Sequence, residues 1–265
     1  MTGENVCEPI IDMKRISLEY AIAALADLIL PRTCIVCGRA LMVSETHICL
    51  FCLADLPYTR YECRSHNPMA DRFNALISKS LNGNTEDMGK PPEPYAFASA
   101  LYFYSHDAGY RQIQYNLKYK GNRDVGRYFG AMLGDRLASS GHFADVDAVV
   151  PVPLHWTRRF GRGYNQAEII ADAVARRIGA EMRTDILVRC RKTRTQTKLD
   201  VEAKARNVAG AFAVRQGADI SGTGHILLVD DVFTTGSTLF SCFTALREVF
   251  PPPRRISVAC LGFVG

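Results

Sequence analysis

The sequence predicts a mainly parallel α/β sheet flanked by helices, with a small four-cysteine module in front of it. From residue 96 onward, short apolar segments alternate with segments that have helical periodicity, which is typical of parallel α/β folds. One of these segments, Ile226–Val229, is apolar at consecutive positions, as a strand covered on both faces would be. Two C-x-x-C pairs precede this region and indicate the separate module.

The composition agrees with a globular protein that has one ordinary core and a small additional module. The chain has 265 residues, of which 48% are apolar and 22% are charged. Its net charge of +5 does not require nucleic acid as a partner, although it allows an anionic ligand. Nine cysteines in a chain of this length, an odd number with two tight pairs, indicate a reducing compartment, so we expect a cytoplasmic protein.

The apolar segment near the N-terminus does not predict a membrane span. Leu18–Leu30 is interrupted by Glu19 and Asp27 and is too short to cross a bilayer. We interpret it as an amphipathic helix that ends before Pro31, because proline disfavours helical backbone in the residue before it. The expected partners therefore include no membrane.

The sequence predicts three regions along the chain. The helix and the cysteine module occupy residues 17–63, a linker occupies 64–95, and the α/β domain occupies 96–265. The linker prediction depends on the segment NGNTEDMGKPPEP, which is rich in Asn, Gly and Pro. Within the domain, the predicted elements are a strand near 97–104, helices at 110–120 and 123–139, a strand at 148–153, a helix at 165–178, a strand at 226–229 and a helix at 238–250.

The most informative segment is Ile226–Thr238, ILLVDDVFTTGST. Asp230 and Asp231 follow the apolar strand, at the edge where open α/β sheets bind ligands, and they can accept hydrogen bonds from a ribose diol or help to hold magnesium. The hydroxyls and backbone amides that follow, at the start of a helix, favour a phosphate. These candidate phosphate-binding residues are Thr234, Thr235, Gly236, Ser237 and Thr238. The alternative is a structural turn with a capped helix.

A nucleotide-triphosphate site of the Walker type is excluded, because no G-x-x-x-x-G-K-[ST] segment precedes the acidic strand. Instead, Ile226–Thr238 resembles the signature of type I phosphoribosyltransferases, and its flanking segments resemble the ComF family of competence-associated proteins. The resemblance extends over most of the chain and includes Pro151–Glu168. It also includes Tyr115, Leu117, Lys118, Thr193, Gln196, Leu199, Asn207 and Phe212. Phe233 and Lys204 depart from the pattern, which usually has an aliphatic residue and an arginine there.

The resemblance implies a type I phosphoribosyltransferase-like fold that binds phosphoribosyl pyrophosphate, or a related nucleotide, with Mg2+. Asp230 and Asp231 would be the catalytic residues, in a displacement of pyrophosphate by a nitrogen nucleophile. Pro153–Asn165 resembles the family's pyrophosphate loop, and its cations can contact phosphate oxygens. The residues that carry this prediction are His155, Arg158, Arg159 and Arg162. Without the family, an arginine-rich loop of this kind is usually only solvated.

The basic segment from Arg189 to Arg206 has a position that resembles the mobile loop of these enzymes, which excludes water during the reaction. Its candidate residues are Arg191, Thr193 and Gln196. The alternative interpretation is a contact strip for nucleic acid, which the lack of interleaved aromatic residues disfavours.

Cys34-x-x-Cys37 and Cys49-x-x-Cys52 are separated by eleven residues and predict a tetrahedral Zn2+ site of structural type. Gly38 follows the first pair, where a tight turn needs left-handed backbone. A redox motif, buried thiols, or His47 in place of one cysteine are the alternatives. Cys242 and Cys260 are expected to be buried thiols of the core.

Two main functional hypotheses follow from these motifs. The first is a ComF-like protein that binds phosphoribosyl pyrophosphate and transfers the phosphoribosyl group. The second is a non-catalytic nucleotide sensor that contacts single-stranded DNA or a DNA-uptake protein. A purely structural adaptor is a third alternative.

Overall fold

The computed structural model describes residues 31–81, 91–105, 109–154, 163–190 and 210–265. The chain divides into two compact units, Met1–Asp55 and Leu56–Gly265. In the described part of the first unit, four cysteines form a cluster, and a short helix, α1 (Leu50–Ala54), begins after Cys49 and contains Cys52. The helix predicted near residues 17–30 lies outside the described residues.

The second unit contains all the strands described below and five further helices. Two short 3-10 helices cover Tyr61–Cys63 and Gly141–Phe143. The other helices are α2 (Pro68–Leu81), α3 (Arg111–Tyr119), α4 (Arg123–Ala138), α5 (Gln166–Ile178) and α6 (Ser237–Arg247). The strands are β1 (Ala98–Phe103), β2 (Ala148–Pro151), β3 (Glu181–Met182), β4 (Leu187–Arg189), β5 (Phe212–Val214), β6 (His225–Phe233) and β7 (Arg255–Phe263).

The main sheet has five strands in the order β1-β7-β6-β2-β3, and every neighbouring pair is parallel. A separate antiparallel pair is formed by β4 and β5. The predicted fold class, a mainly parallel sheet flanked by helices with a small cysteine module, is confirmed. Because the strands are parallel, their carboxyl ends lie along one edge, and this is where Asp230 and Asp231 are found.

Helices pack on both faces of the sheet, as the consecutive apolar residues of β6 require. On one face, Phe73 of α2 meets Phe243 of α6 edge to face, with ring centroids 5.8 Å apart. On the other face, α4 packs closely against α5 because α4 presents glycines at four-residue spacing. A Cβ atom at Gly130 would lie 3.0 Å from the Cβ of Ala173, and one at Gly134 would lie 2.7 Å from the Cβ of Arg177.

The first half of residues 64–95, which were predicted to be a linker, is a helix packed in the core. This helix is α2, and its residues Met69, Ala70, Phe73 and Ile77 are buried in the main core. These four residues lie on one side of a helix. Their spacing indicates an amphipathic helix, although the segment is polar in composition. The segment rich in Asn and Gly, residues 82–90, lies outside the described residues.

In the described part of the chain, no helix combines the length and the apolar character that crossing a bilayer requires.

Candidate functional site

The candidate site lies where β6 continues past its neighbour β2. The pairing of β2 ends with Pro151 opposite Val229, whereas β6 remains paired with β7 as far as Phe233. The sequence predicted that Asp230 and Asp231 follow the strand. They instead lie inside it. After Val229, β6 is no longer paired with β2. Asp230 and Asp231 therefore lie in a part of β6 whose edge toward β2 is unpaired among the described strands.

The two carboxylates have different partners. The backbone amide of Asp231 donates to Oδ1 of Asp230 over 2.8 Å. Nζ of Lys118, on α3, lies 2.8 Å from Oδ2 of Asp231. Gln114, one turn earlier on α3, donates from Nε2 to the carbonyl oxygen of Asp231 over 3.2 Å. The helix α3 thus holds Asp231 through both its side chain and its backbone.

Asp230 lies in surroundings that disfavour its charge. Burial, followed by the negative charge of Asp231, raises the pKa of the Asp230 carboxyl to about 7, although Lys118 and Arg189 act in the opposite direction. The thiols beside it, Cys242 and Cys260, are fully buried, which confirms the prediction that they belong to the core. The site therefore carries two adjacent carboxylates, an arrangement that suits a divalent cation with oxygen ligands.

The polar turn after β6 is shaped by the contact between Gly236 and Phe233. Gly236 has φ +79°, and a Cβ atom there would lie 2.6 Å from the Phe233 ring. A larger residue is therefore disfavoured by both conformation and space. Oγ1 of Thr235 lies 2.8 Å from Oγ of Ser237 and accepts a bond from its amide over 3.4 Å. The turn leads directly into α6, whose first residue is Ser237.

Helix α2 supports this turn from outside. Nη1 of Arg72 donates to the carbonyl oxygens of Thr234 and Val264, over 3.0 and 3.1 Å. The guanidinium lies 5.2 Å from the ring centroid of Phe263. Arg72 therefore joins the turn to the end of β7. Sequence reasoning missed this residue because it lies in the segment predicted to be a linker.

The predicted pyrophosphate-binding residues His155, Arg158, Arg159 and Arg162 lie outside the described residues, as do the predicted mobile-loop residues Arg191, Thr193 and Gln196.

The described residues on either side of the first of these segments are joined by a hydrogen bond. Nδ2 of Asn165 donates to the carbonyl oxygen of Val152 over 3.0 Å, and its Oδ1 caps α5 by accepting from the amide of Ala167 over 3.1 Å. The two ends of the segment are thus fixed at the same edge of the sheet as Asp230.

The four cysteines of the first unit form one cluster. The ligand atoms of Cys34, Cys37, Cys49 and Cys52 all lie within 4.8 Å of one another. The sulfurs of Cys37 and Cys49 are 3.8 Å apart, which matches the spacing of about 3.8 Å expected for a tetrahedron with Zn–S distances near 2.3 Å. The arrangement can hold a metal ion such as zinc, and His47 is not part of it.

The local backbone prepares this cluster for metal binding. Gly38 has φ +75°, as predicted, and its amide donates to the carbonyl oxygen of Cys34 over 2.9 Å. Burial raises the pKa of the Cys34 thiol, but bonds from the amides of Cys37, Cys49 and Val36 outweigh it and lower the pKa to about 7. Glu45 accepts from the amides of Met42 and Leu50, each over 2.7 Å, and thereby fixes the approach to α1.

A hydrogen-bonded Asp-His-Ser arrangement at the opposite edge of the sheet is structural. Nδ1 of His225 lies 2.8 Å from Oδ1 of Asp145, and Nε2 lies 2.8 Å from Oγ of Ser257. Ser257 is 0% exposed and also accepts from the amide of Phe97. A nucleophile must be reachable by its substrate, so this serine is not a candidate.

Comparison with known proteins supports the family resemblance. No family model matches the chain. Over 103 residues it is 34% identical to Competence protein F of Haemophilus influenzae, which covers 39% of this chain and 45% of that protein. Over 93 residues it is 37% identical to DNA utilization protein YhgH of Salmonella typhi and 36% identical to that of Escherichia coli, covering 35% of this chain and 40% of each relative. The predicted resemblance to competence-associated proteins is confirmed.

The matches extend over less than half the length of these relatives. Two solved structures also align with the chain, adenine phosphoribosyltransferases from Leishmania tarentolae and Leishmania donovani. The alignment with the first covers 52% of this chain and 71% of that chain, with a TM-score of 0.29 and 11% identity. The alignment with the second covers 52% of this chain and 65% of that chain, with a TM-score of 0.28 and 12% identity. Scores this low carry no conclusion about fold or activity.

The sequence assigned Lys118 no role of its own, since it was named only among the residues that carry the family resemblance. The structure gives it a specific contact, the ion pair with Asp231. A lysine in an amphipathic helix is normally expected at the surface, so nothing in the local sequence indicates this pairing. Only the packing of α3 beside β6 shows it.

Proposed function

We propose that the chain binds phosphoribosyl pyrophosphate, or a related nucleotide, at the carboxyl edge of the sheet together with Mg2+. The proposal also includes transfer of the phosphoribosyl group to a nitrogen acceptor. The observation that carries it is the continuity of β6, the polar turn and α6, which places two carboxylates next to a hydroxyl-rich helix N-terminus. Such an arrangement suits a ligand that has a diol at one end and a phosphate at the other.

Each part of the ligand has a proposed partner in the described chain. Asp230 and Asp231 would accept hydrogen bonds from the two ribose hydroxyls. The hydroxyls of Thr235 and Ser237, with the amides at the start of α6, would hold the 5-phosphate. Arg72 would keep the turn in place through the carbonyl oxygen of Thr234. Thr234, Gly236 and Thr238 complete the proposed phosphate site.

The two carboxylates also fit a magnesium ion, since their oxygens are the ligands that Mg2+ prefers, and burial, followed by the negative charge of Asp231, raises the pKa of the Asp230 carboxyl. Asp230 and Asp231 would hold the ion, directly or through water. When bound, magnesium would neutralise charge on the pyrophosphate group.

In the proposed transfer, the bond between the anomeric carbon and a pyrophosphate oxygen breaks. Pyrophosphate leaves with the electron pair, while the acceptor nitrogen bonds to the carbon and loses its proton. We further propose that His155, Arg158, Arg159 and Arg162 bind the leaving pyrophosphate, and that Arg191, Thr193 and Gln196 belong to a loop that excludes water.

Replacing both carboxylates by amides tests the binding proposal. In Asp230→Asn with Asp231→Asn, we expect affinity for phosphoribosyl pyrophosphate and Mg2+ to fall by about 100-fold or more, because hydrogen bonds to charged groups contribute roughly 1.5–3 kcal/mol each. Isothermal titration calorimetry measures the change. Asp135→Asn is the matched control, because Asp135 is an exposed carboxylate of α4 that pairs with Arg177. Wild-type protein that binds no ligand would contradict the proposal.

The names of the relatives favour a second candidate function. Competence protein F and DNA utilization protein YhgH are named for competence and for the use of DNA. We propose that this chain also serves DNA uptake in the cytoplasm. In the second candidate function, it would sense a nucleotide without turnover and contact single-stranded DNA or a DNA-uptake protein. Pyrophosphate release across a panel of purines, pyrimidines and amines separates the candidates, since silence across the panel would favour the sensor.

The second candidate predicts binding of single-stranded DNA that weakens with salt. For an oligothymidylate of about 15 nucleotides, we expect the logarithm of the binding constant to fall linearly with the logarithm of the salt concentration, because each phosphate contact releases counterions. Fluorescence anisotropy at several salt concentrations measures this slope. No binding at low salt would exclude the DNA part of the second candidate.

We also propose that Cys34, Cys37, Cys49 and Cys52 hold one structural Zn2+ ion. Four thiolates close the coordination sphere, so the ion would stabilise the module rather than take part in chemistry.

A further inference from the structure

The carboxylate of Asp231 already has a cation of the chain beside it. Nζ of Lys118 lies 2.8 Å from Oδ2 of Asp231, and the two side chains are only 27% and 15% exposed. Water and salt therefore screen this ion pair less than they screen a pair at the surface. Asp231 is also one of the two carboxylates proposed above to hold Mg2+, so one oxygen has two candidate cations.

The two cations compete for this oxygen. A divalent ion on Oδ2 of Asp231 would lie close to the ammonium group, and like charges at short separation repel strongly where the site is partly buried. The divalent ion carries the higher charge and can use an oxygen of Asp230 as well. The ammonium is therefore the cation that we expect to leave.

Helix α3 can release the ammonium without moving as a whole. Gln114, one turn before Lys118, donates from Nε2 to the carbonyl oxygen of Asp231 over 3.2 Å and to Oη of Tyr102 over 3.3 Å. Gln114 is buried, with 3% exposure. These bonds attach α3 to β6 and β1 independently of the Lys118 side chain, so a change in that side chain leaves the helix in place.

The lysine side chain has both the space and the flexibility to change partner. Lys118 lines a cleft of about 480 Å3 together with Tyr104 and Arg111. Its four-carbon stem is flexible and its ammonium is a compact charge, whereas a guanidinium would hold a carboxylate through two parallel hydrogen bonds. A lysine at this position is thus easier to displace than an arginine would be.

We infer that Lys118 is an internal counter-ion of Asp231, which it gives up when Mg2+ binds to the carboxylate pair. This inference rests on the proposed function, because that function brings the ion to Asp230 and Asp231. Lys118 compensates the charge of Asp231 and holds its carboxylate in position until the exchange. It is accordingly a positioning residue of the metal site, and metal binding is coupled to the release of its ammonium.

The test measures how fast the Lys118 amine of the full chain is acetylated by a limiting amount of acetic anhydride, with and without Mn2+. Electron paramagnetic resonance sets the Mn2+ concentration at which the site is occupied, and mass spectrometry locates the acetyl groups. We expect acetylation of Lys118 to become about fivefold faster when Mn2+ is bound, since the amine leaves a shielded ion pair. Lys120, an exposed lysine two residues later, is the internal control and should keep its rate.

Two variants distinguish displacement of Lys118 from a general effect of the ion. In Asp231→Asn, Lys118 should react at the faster rate with and without Mn2+, because its carboxylate partner is gone. In Lys118→Arg, affinity for Mn2+ should fall about fivefold, because a guanidinium holds Asp231 through two bonds. Lys120→Arg is the matched control and should leave the affinity unchanged.

Failure of the inference and failure of the proposed function give different results. If Mn2+ binds wild type but acetylation of Lys118 does not change, or Lys118→Arg binds Mn2+ as tightly as wild type, only the inference is overturned. If wild type binds no Mn2+, or Asp230→Asn with Asp231→Asn binds it equally well, the proposed metal site at the carboxylates fails, and this inference fails with it.

Discussion

Alanine in place of Gly236 is expected to destabilise the second unit by about 2–5 kcal/mol and to abolish binding of the sugar phosphate. A left-handed backbone costs an alanine roughly 1–2 kcal/mol, and overpacking adds about 1–3 kcal/mol. The new Cβ atom would lie 2.6 Å from the Phe233 ring and 3.2 Å from Leu76. Any relaxation must move the turn that precedes α6, and with it the hydroxyls of Thr235 and Ser237.

Gly217 provides the matched control for this substitution. It has the same φ of +79°, but a Cβ atom there would meet nothing within 4 Å. Gly217→Ala should therefore show the conformational cost alone, about 1–2 kcal/mol, in urea unfolding. Adding Phe233→Leu to Gly236→Ala should recover part of the lost stability, because it removes the ring. Equal losses for the two alanine variants would show that the contact with Phe233 does not matter.

Cys34→Ser is expected to remove the metal and to unfold the first unit. Four thiolates should hold about one Zn2+ per chain, with a binding free energy of roughly 10–16 kcal/mol for structural sites. A serine hydroxyl is a far poorer ligand than a thiolate, so zinc content should fall to near zero. Residues 31–55 should then become sensitive to protease, while the thermal transition of residues 56–265 remains.

Cys63→Ser is the control for the cysteine variant, because Cys63 is an exposed thiol outside the cluster. It should leave the zinc content unchanged. Metal analysis by mass spectrometry measures both proteins after dialysis. Unchanged zinc in Cys34→Ser would refute the four-thiolate site, and zinc lost equally from both variants would indicate a nonspecific effect of purification.

The parts of the site that could be predicted from sequence are those formed by contiguous residues. The strand, turn and helix from Ile226 to Thr238 are local, and their residue types indicate both the structure and the chemistry. The cysteine cluster is similar, since two short knuckles place four sulfurs together. In both cases the relevant distances are set by a few backbone dihedral angles.

The contacts that escaped prediction join residues that are distant in sequence. Arg72 reaches Thr234 across 162 positions, and Lys118 reaches Asp231 only because α3 packs beside β6. No periodicity or composition specifies such pairs. The length of β6 was also underestimated, because Asp230 and Asp231 are poor strand residues whose pairing with β7 depends on the strand next to them.

The glycines of α4 have a consequence beyond packing. They set how near α5 lies to α4, and the first turn of α5 is fixed by Asn165, which also holds the end of β2 through Val152. A side chain at Gly130 would push α5 outward and carry Asn165 with it. The separation of Val152 and Asn165, which flank residues 153–164, is therefore set by how closely two helices pack in the interior, so it is a property of the scaffold rather than of residues at the edge of the sheet.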